Sequence, residues 1–403
     1  MPSPHQSDRR APLGLVALVA AAVGACGDAP ERASDIAAPE LHQAEGDRDA
    51  TPPVARGREI FRHDTFGDEQ FWTDTLRLHE VIASAVDPLT ALAVGLKVDA
   101  EALPPGILDE VDLTDPATTV ALLSLDAVLG VRGTVSADGE LEAVGITCAL
   151  CHSTVDNSVA PGIGRRLDGW PNRDLDVGAI VALSPALPDE VKAVFTSWGP
   201  GRYDAYFNQD GINDPVLIPP AYGLRDVARE TYTGEGPVSY WNAYVAVTQM
   251  HAQGSFRDPR LGIDIRQEPD LVKEKLLPLR LYQFSLQAPP PPAGSFDLAA
   301  AERGRAVFAG KGRCAQCHVP PTFTDAPALH APEETGMDPV LASRGHTGGY
   351  RTTPLRGAWQ HPPYFHDGSA ATFGDVVDHY DGVLALGLSP AEKADLVEYL
   401  KSL

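Results

Sequence analysis

Two five-residue strings place thiols and imidazoles at a spacing with a well-defined chemical use. They are Cys148-Ala149-Leu150-Cys151-His152 and Cys314-Ala315-Gln316-Cys317-His318. In each, the two thiols lie one helical turn apart and can add to the two vinyl groups of one porphyrin. The histidine that follows is placed to ligate the iron from one side. Paired C-x-x-C strings also build zinc sites, but zinc does not require a histidine directly after each pair. Four of the five cysteines are used in these strings, and the fifth, Cys26, ends an apolar run, so no thiols are left over for a structural disulfide. The chemistry implied is that of two covalently bound haem c groups, held through Cys148, Cys151, His152, Cys314, Cys317 and His318, with His152 and His318 on the irons.

The elements that must position these strings read as helices and long loops. The expected fold is mainly α: two cytochrome c-like haem domains with little β, haem taking the place of part of each core. Pro289 to Pro292 cannot donate backbone hydrogen bonds, so they predict a stiff extended spacer between residues 56–286, the first haem domain, and 295–403, a class I cytochrome c-like domain. In the latter, Asp297 caps a helix that ends at Gly310 and leads into the second string. Thr372 with Asp375 predicts a capping box over 373–381, and Ser389, Pro390 and Glu392 open a terminal helix. In the first domain, 70–86 and 119–129 have helical spacing, and 162–178 is turn-rich. Residues 239–251, from Ser239-Tyr240-Trp241 to His251, form an aromatic-led helical segment.

The N-terminus supplies an address. Arg9-Arg10, an uncharged run over 11–25 and Val23-Gly24-Ala25-Cys26 form a basic region, a short apolar region and a small-residue cleavage site, too short for a comfortable membrane span. The string resembles a bacterial lipoprotein signal, in which Cys26 becomes the lipidated first residue; plain secretion is the alternative. Residues 1–26 are thus a signal peptide and 27–55, rich in Ala, Pro, Asp and Glu, a flexible linker. The location expected is periplasmic. A net charge of −23 argues against nucleic acid or an anionic membrane surface as partner and suits a basic electron-carrier protein.

Arg351-Thr352-Thr353-Pro354-Leu355-Arg356-Gly357 and Pro363-Tyr364-Phe365-His366-Asp367-Gly368 resemble the bacterial dihaem cytochrome c peroxidase superfamily. That superfamily includes the dihaem enzyme of methylamine utilisation and, distantly, the haem-dependent rubber oxygenases. The likeness is specific over 295–403, fair around 148–172 and weak between. It implies that peroxide reacts at the first haem and that the second relays electrons. It also implies a far-side ligand on the second iron fourteen residues beyond His366, which is Tyr380. Ordinary peroxidases carry methionine there and the methylamine-utilisation enzyme tyrosine. A phenolate favours ferric and higher states, a thioether ferrous. His379 would point about 100° away from Tyr380 on a helix, and Met337 is a loop alternative.

Further readings follow the same resemblance. Arg356 would pair with a haem propionate, with Arg165 and Arg166 doing so at the first haem, while His366 anchors its loop. Asn172, His361 and Pro363 resemble contributors to an inter-haem calcium site. For the face where peroxide would react, the candidates are Gln249 and His251, with Trp241 as an electron bridge between the haems. The expected function is an exported dihaem peroxidase-like oxidoreductase, using hydrogen peroxide or another small oxidant and a small exported electron-donor protein. Alternatives are a non-catalytic dihaem electron carrier and a haem-dependent oxygenase of an apolar substrate.

Overall fold

A computed structural model describes residues 51–403; Cys26, the signal region and the linker up to residue 50 lie outside the described residues. Helix far outweighs strand, and the strands of the described residues occur only as two-stranded pairs. The first helix, Pro52–His63, starts inside the stretch expected as linker, with proline in its first turn. It buries Ile60 and Phe61 and packs on the helix Leu276–Ser285. The approach is close: a Cβ on Gly57 would stand 2.0 Å from the Pro278 carbonyl oxygen.

Residues 70–86 are not one helix. Gln70–Thr75 is a wide π-type turn, Arg77 is left-handed at φ 56°, and Leu78–Ala85 follows as a separate helix. Distant hydrogen bonds override the local periodicity here: Trp72 Nε1 donates to the Met250 carbonyl (3.1 Å) and Thr73 Oγ1 exchanges bonds with the Val144 backbone. The helix expected over 119–129 is Pro116–Ser124, capped by Asp115. A hairpin of Val131–Val135 with Leu141–Ile146 runs straight into the first cysteine string. Its strands are too short to register as an alternating pattern.

The C-terminal elements follow their caps. Asp297 accepts from Ala300 N ahead of Leu298–Ala309, and full capping boxes open Phe373–Val383 and Pro390–Lys401. The first and last of these helices pack across Gly304, where a Cβ would stand 2.0 Å from the Asp395 carbonyl oxygen. Phe308, Phe323, Val377, Leu396 and Leu400 form the core beside them. The proline run is held rather than free: Trp359 Nε1 donates to the Pro289 carbonyl (3.1 Å), and Trp170 meets Trp359 edge-to-face.

Polar contacts also join the regions before and after the prolines. Leu217 N donates to the His366 carbonyl at 2.7 Å. Arg344 donates to Asp204 and Asp210, both at 2.8 Å, and to the Ile212 carbonyl. The Arg344 and Asp204 side chains are 2% and 1% exposed, so loss of the cation would leave a carboxylate buried and unpaired. Breaking such a pair costs about 3–5 kcal/mol, and Arg344→Met is expected to lower the unfolding free energy in urea by that order. Arg303→Met, at the outward-facing pair with Asp395, is expected to change it little.

A second expectation concerns pH. Asp68 is wholly buried with Ile146 N donating to its carboxylate, and burial pushes its pKa from 3.8 up to about 9. The folded chain therefore holds a proton that the unfolded chain releases. The associated stability is complete below about pH 4 and declines as pH rises toward about 9. Urea midpoints across that range should fall, and Asp68→Asn should flatten the decline.

Candidate functional site

Each cysteine string closes one helical turn: His152 N bonds to the Cys148 carbonyl and His318 N to the Cys314 carbonyl. The paired thiols thus lie on adjacent turns, and none of the four is in a disulfide. Burial pushes the Cys148 and Cys151 thiols up to about 12 and Cys314 to about 11. The four sulfurs do not converge. Among the described residues, the group of three or more ligand-type side chains within reach of one ion is Cys317, Asp325 and His330, which excludes a four-thiol zinc site.

Both histidines are oriented through Nδ1. His152 Nδ1 lies 3.1 Å from the Pro219 carbonyl, and His318 Nδ1 lies 3.1 Å from the Phe323 carbonyl. A carbonyl can only accept, so Nδ1 carries the proton in each ring and Nε2 keeps its lone pair for a metal. Burial lowers both pKa values, that of His152 to about 4, which keeps the imidazoles neutral as iron ligation demands.

Both strings open on one cavity of about 1320 Å³, larger than the roughly 300–1,000 Å³ of a site for one small molecule. Its walls are mainly apolar, and they carry buried donors with no protein acceptor: Arg173 Nε and Nη1, Arg351 Nε and Trp241 Nε1. Buried donors of this kind demand acceptors, and porphyrin propionates supply them. Thiol pairs, oriented imidazoles, an apolar cavity and unsatisfied cationic donors together fit haem c.

The residues singled out from the sequence fall on different sides of this cavity. Trp241, Gln249, His251, Met337, Arg356 and Tyr380 all line it. Gln249 caps the helix Val238–Thr248; its Oε1 accepts from Tyr203 Oη at 2.8 Å, and its Nε2 donates to Thr248 Oγ1 and Asn208 Oδ1. His251 is left-handed at φ 61° and stacks on Phe71 with ring centroids 3.7 Å apart. A non-glycine residue held there marks a locally constrained backbone. Phe71, Cys151 and Tyr203 pack on one cluster around Trp72 and Leu150, which sets Gln249 and His251 on the side of the first string.

At the second string, Tyr380 lies half-buried beside Cys314 and Cys317, its phenol pushed up to about 12 chiefly by desolvation. His379 turns away and bonds the Thr335 carbonyl through Nε2 at 2.8 Å. Arg356 Nε donates to the Pro321 carbonyl, and its guanidinium lies over Phe323. His366 is buried, within 3.4 Å of Tyr350 Oη.

One expectation is corrected. Arg165 and Arg166 do not line the cavity; they pair with Asp156 and Asp99, and Arg173, three residues past Trp170, takes the cavity position instead. At the set that resembles a calcium site, Arg173 Nη2 donates to the His361 carbonyl at 3.2 Å, and Asn172 Oδ1 is buried with no protein partner. Sequence reasoning also missed Tyr203, Tyr206, Arg173 and Glu230 as cavity residues. Arg173 had a signal, since it directly follows Asn172; the others had none.

No protein-family model matches the chain. It is 31% identical over 122 residues to methylamine utilization protein MauG of Methylorubrum extorquens, covering 26% of this chain and 34% of that one. It is 29% identical over 151 residues to cytochrome-c peroxidase IdrP1 of Denitromonas iodatirespirans, covering 26% and 40%. A solved MauG-like protein associated with microbial copper homeostasis aligns at TM-score 0.33 and 19% identity, over 47% of this chain and 73% of that one. The chain spans about a third to two-fifths of the curated relatives it matches. The two curated likenesses support the dihaem cytochrome c peroxidase and MauG superfamily, at low identity.

The cavity's donor set has a direct check. Cys314→Ala with Cys317→Ala is expected to yield matured protein carrying one covalent haem by mass spectrometry and haemochrome absorbance, where the parent is expected to carry two. The Cys148→Ala, Cys151→Ala pair should do the same.

Proposed function

We propose that this chain is an exported dihaem peroxidase-like oxidoreductase that reduces hydrogen peroxide at its first haem and takes electrons in through its second. The observation that carries the reading is the shared cavity, with an oriented imidazole and thiol pair for each haem and different groups facing each one. The haems supply the redox chemistry; the protein supplies axial ligands, access and proton handling.

The residues divide that work. His152 and His318, held by carbonyls, ligate through Nε2. Arg173, Arg351 and Trp241 hold propionates with the donors they leave unused. Tyr203 fixes the Gln249 amide, which can orient but not transfer a proton. His251, a neutral imidazole whose pKa is lowered by burial, can take a proton from one peroxide oxygen and return it to the other. Tyr380, beside Cys314 and Cys317, would be a further protein ligand for the second haem. Domains divide at the proline run, with one haem in each of 56–286 and 295–403. The N-terminal signal directs the chain to the periplasm, where lipidation of Cys26 would tether it. The donor is a small basic protein drawn to a net charge of −23.

One observation favours a second reading, an oxygenase of an apolar substrate. Val81, Ile82, Ile180, Leu187 and Phe195 line the cavity beside Leu183, which is 40% exposed, forming an apolar mouth.

Electron paramagnetic resonance of the ferric protein before and after peroxide tests the main reading. One high-spin iron that changes with peroxide is expected; two low-spin irons indifferent to peroxide would exclude it. Tyr380→Met is expected to raise the midpoint potential of the second haem, since thioether ligation favours the ferrous state. Spectroelectrochemistry reads that shift, and an unchanged potential would remove Tyr380 from the iron.

A further inference from the structure

Behind the wall on which Trp241 stands lies a closed group of redox-active rings that cysteine strings and axial ligands do not explain. Trp241 and Tyr206 line the cavity, whereas Tyr240 and Tyr244 stand behind them. Trp241 contacts Tyr240 at 5.8 Å, Tyr244 at 5.1 Å and Tyr206 at 6.3 Å between centroids, and Tyr240 and Tyr244 lie nearly parallel. Aromatic packing alone would be served by phenylalanine at these places.

The hydroxyl partners set the rings apart. Oxidising a phenol by one electron makes it a strong acid, so an oxidisable tyrosine needs a base within hydrogen-bond reach. Tyr240 Oη donates to Asp258 Oδ2 at 2.6 Å. Tyr206 Oη donates to Glu235 Oε1 at 2.6 Å, a carboxylate that also accepts from Thr231 and Thr233. Tyr244 has only neutral acceptors, the Ala205 carbonyl and Gln209. Asp258 is ionised across the physiological range, because Arg260 and Tyr240 hold its pKa down to about 2 despite burial.

The outer end reaches water. Arg260 lies over the Tyr240 ring, donates to Asp258 at 2.6 Å and is 41% exposed. Its neighbours Arg257 and Arg266 are 65% and 74% exposed, and both pair with Asp264.

We infer that Trp241 and Tyr240 form an oxidation relay that carries an electron from a surface reductant docking beside Arg260 to the oxidant in the cavity, with Asp258 as the proton acceptor. The inference rests on peroxide reduction in the cavity. Hydrogen peroxide takes two electrons and two protons to become water. Tyr240 gives up one of those electrons through the Trp241 indole while its phenolic proton moves to Asp258. A small organic one-electron reductant then returns an electron to Tyr240, and the proton moves back from Asp258. The second haem gives the cavity its other electron source, so the relay is an added entrance for small organic reductants.

The test uses the matured holoprotein, one equivalent of hydrogen peroxide and a nitroso spin trap, with peptide mass mapping and haem absorbance recorded together. A trap adduct on Tyr240 is expected, suppressed by ascorbate and lost in Tyr240→Phe while the haem absorbance still responds. Asp258→Asn is expected to move the adduct from Tyr240 to Trp241. A haem response with adducts confined to other residues, or unchanged by Tyr240→Phe, overturns the relay. If the haems do not respond to peroxide, the peroxidase reading fails on its own. A photogenerated one-electron oxidant then replaces peroxide, and absence of Tyr240 among the trapped residues overturns the relay separately.

Discussion

The hydrogen bond from each histidine Nδ1 to a backbone carbonyl is the constraint on which the site depends. It fixes the tautomer and aims Nε2 at the cavity, while burial keeps the imidazole neutral. The two bonds are built differently. Phe323, which accepts from His318, is five residues away in the same loop, so the second site carries its own support. Pro219, which accepts from His152, is sixty-seven residues away. The first site exists only when the segment around Val216–Leu217 has docked, and that segment is itself tied to the C-terminal region by Leu217 N and the His366 carbonyl.

Charge placement follows from the same burial. The cavity walls are apolar, yet they carry two arginines with nitrogens unsatisfied by protein. Such groups are tolerable only against an anion. Arg351 already leans on Glu230, whose pKa burial raises to about 7. Arg173 instead meets carbonyl and phenol oxygens, and its pKa is lowered by burial. The cation nearest to needing a partner is thus the one standing next to His361, where a divalent metal had been expected.

What could be read in the sequence was local. The cysteine strings, the caps at Asp297, Thr372 and Ser389, and the divergence of His379 from Tyr380 each depend on residues within one helical turn of each other. Two kinds of feature could not be read. Segments such as 70–86, with helical spacing, were broken by bonds to Val144 and Met250, which no local pattern reveals. Groups lining the cavity meet across long separations: Tyr203 reaches Gln249 over forty-six residues, and Arg173 reaches His361 over one hundred and eighty-eight. Gln249 and His251 were legible as candidates because a helix end and a turn expose polar side chains, but what holds them was not.

The clip between Trp359 and the Pro289 carbonyl has a mechanical meaning. A polyproline segment left free acts as a strut whose ends swing, and anything attached to either end would drift through a range of separations. Pinned at its first residue by an indole that is braced against Trp170, it behaves as a rivet. Tunnelling rates decay steeply with gap width, so in the proposed two-haem arrangement a fastened joint would give every molecule in a population the same transfer time.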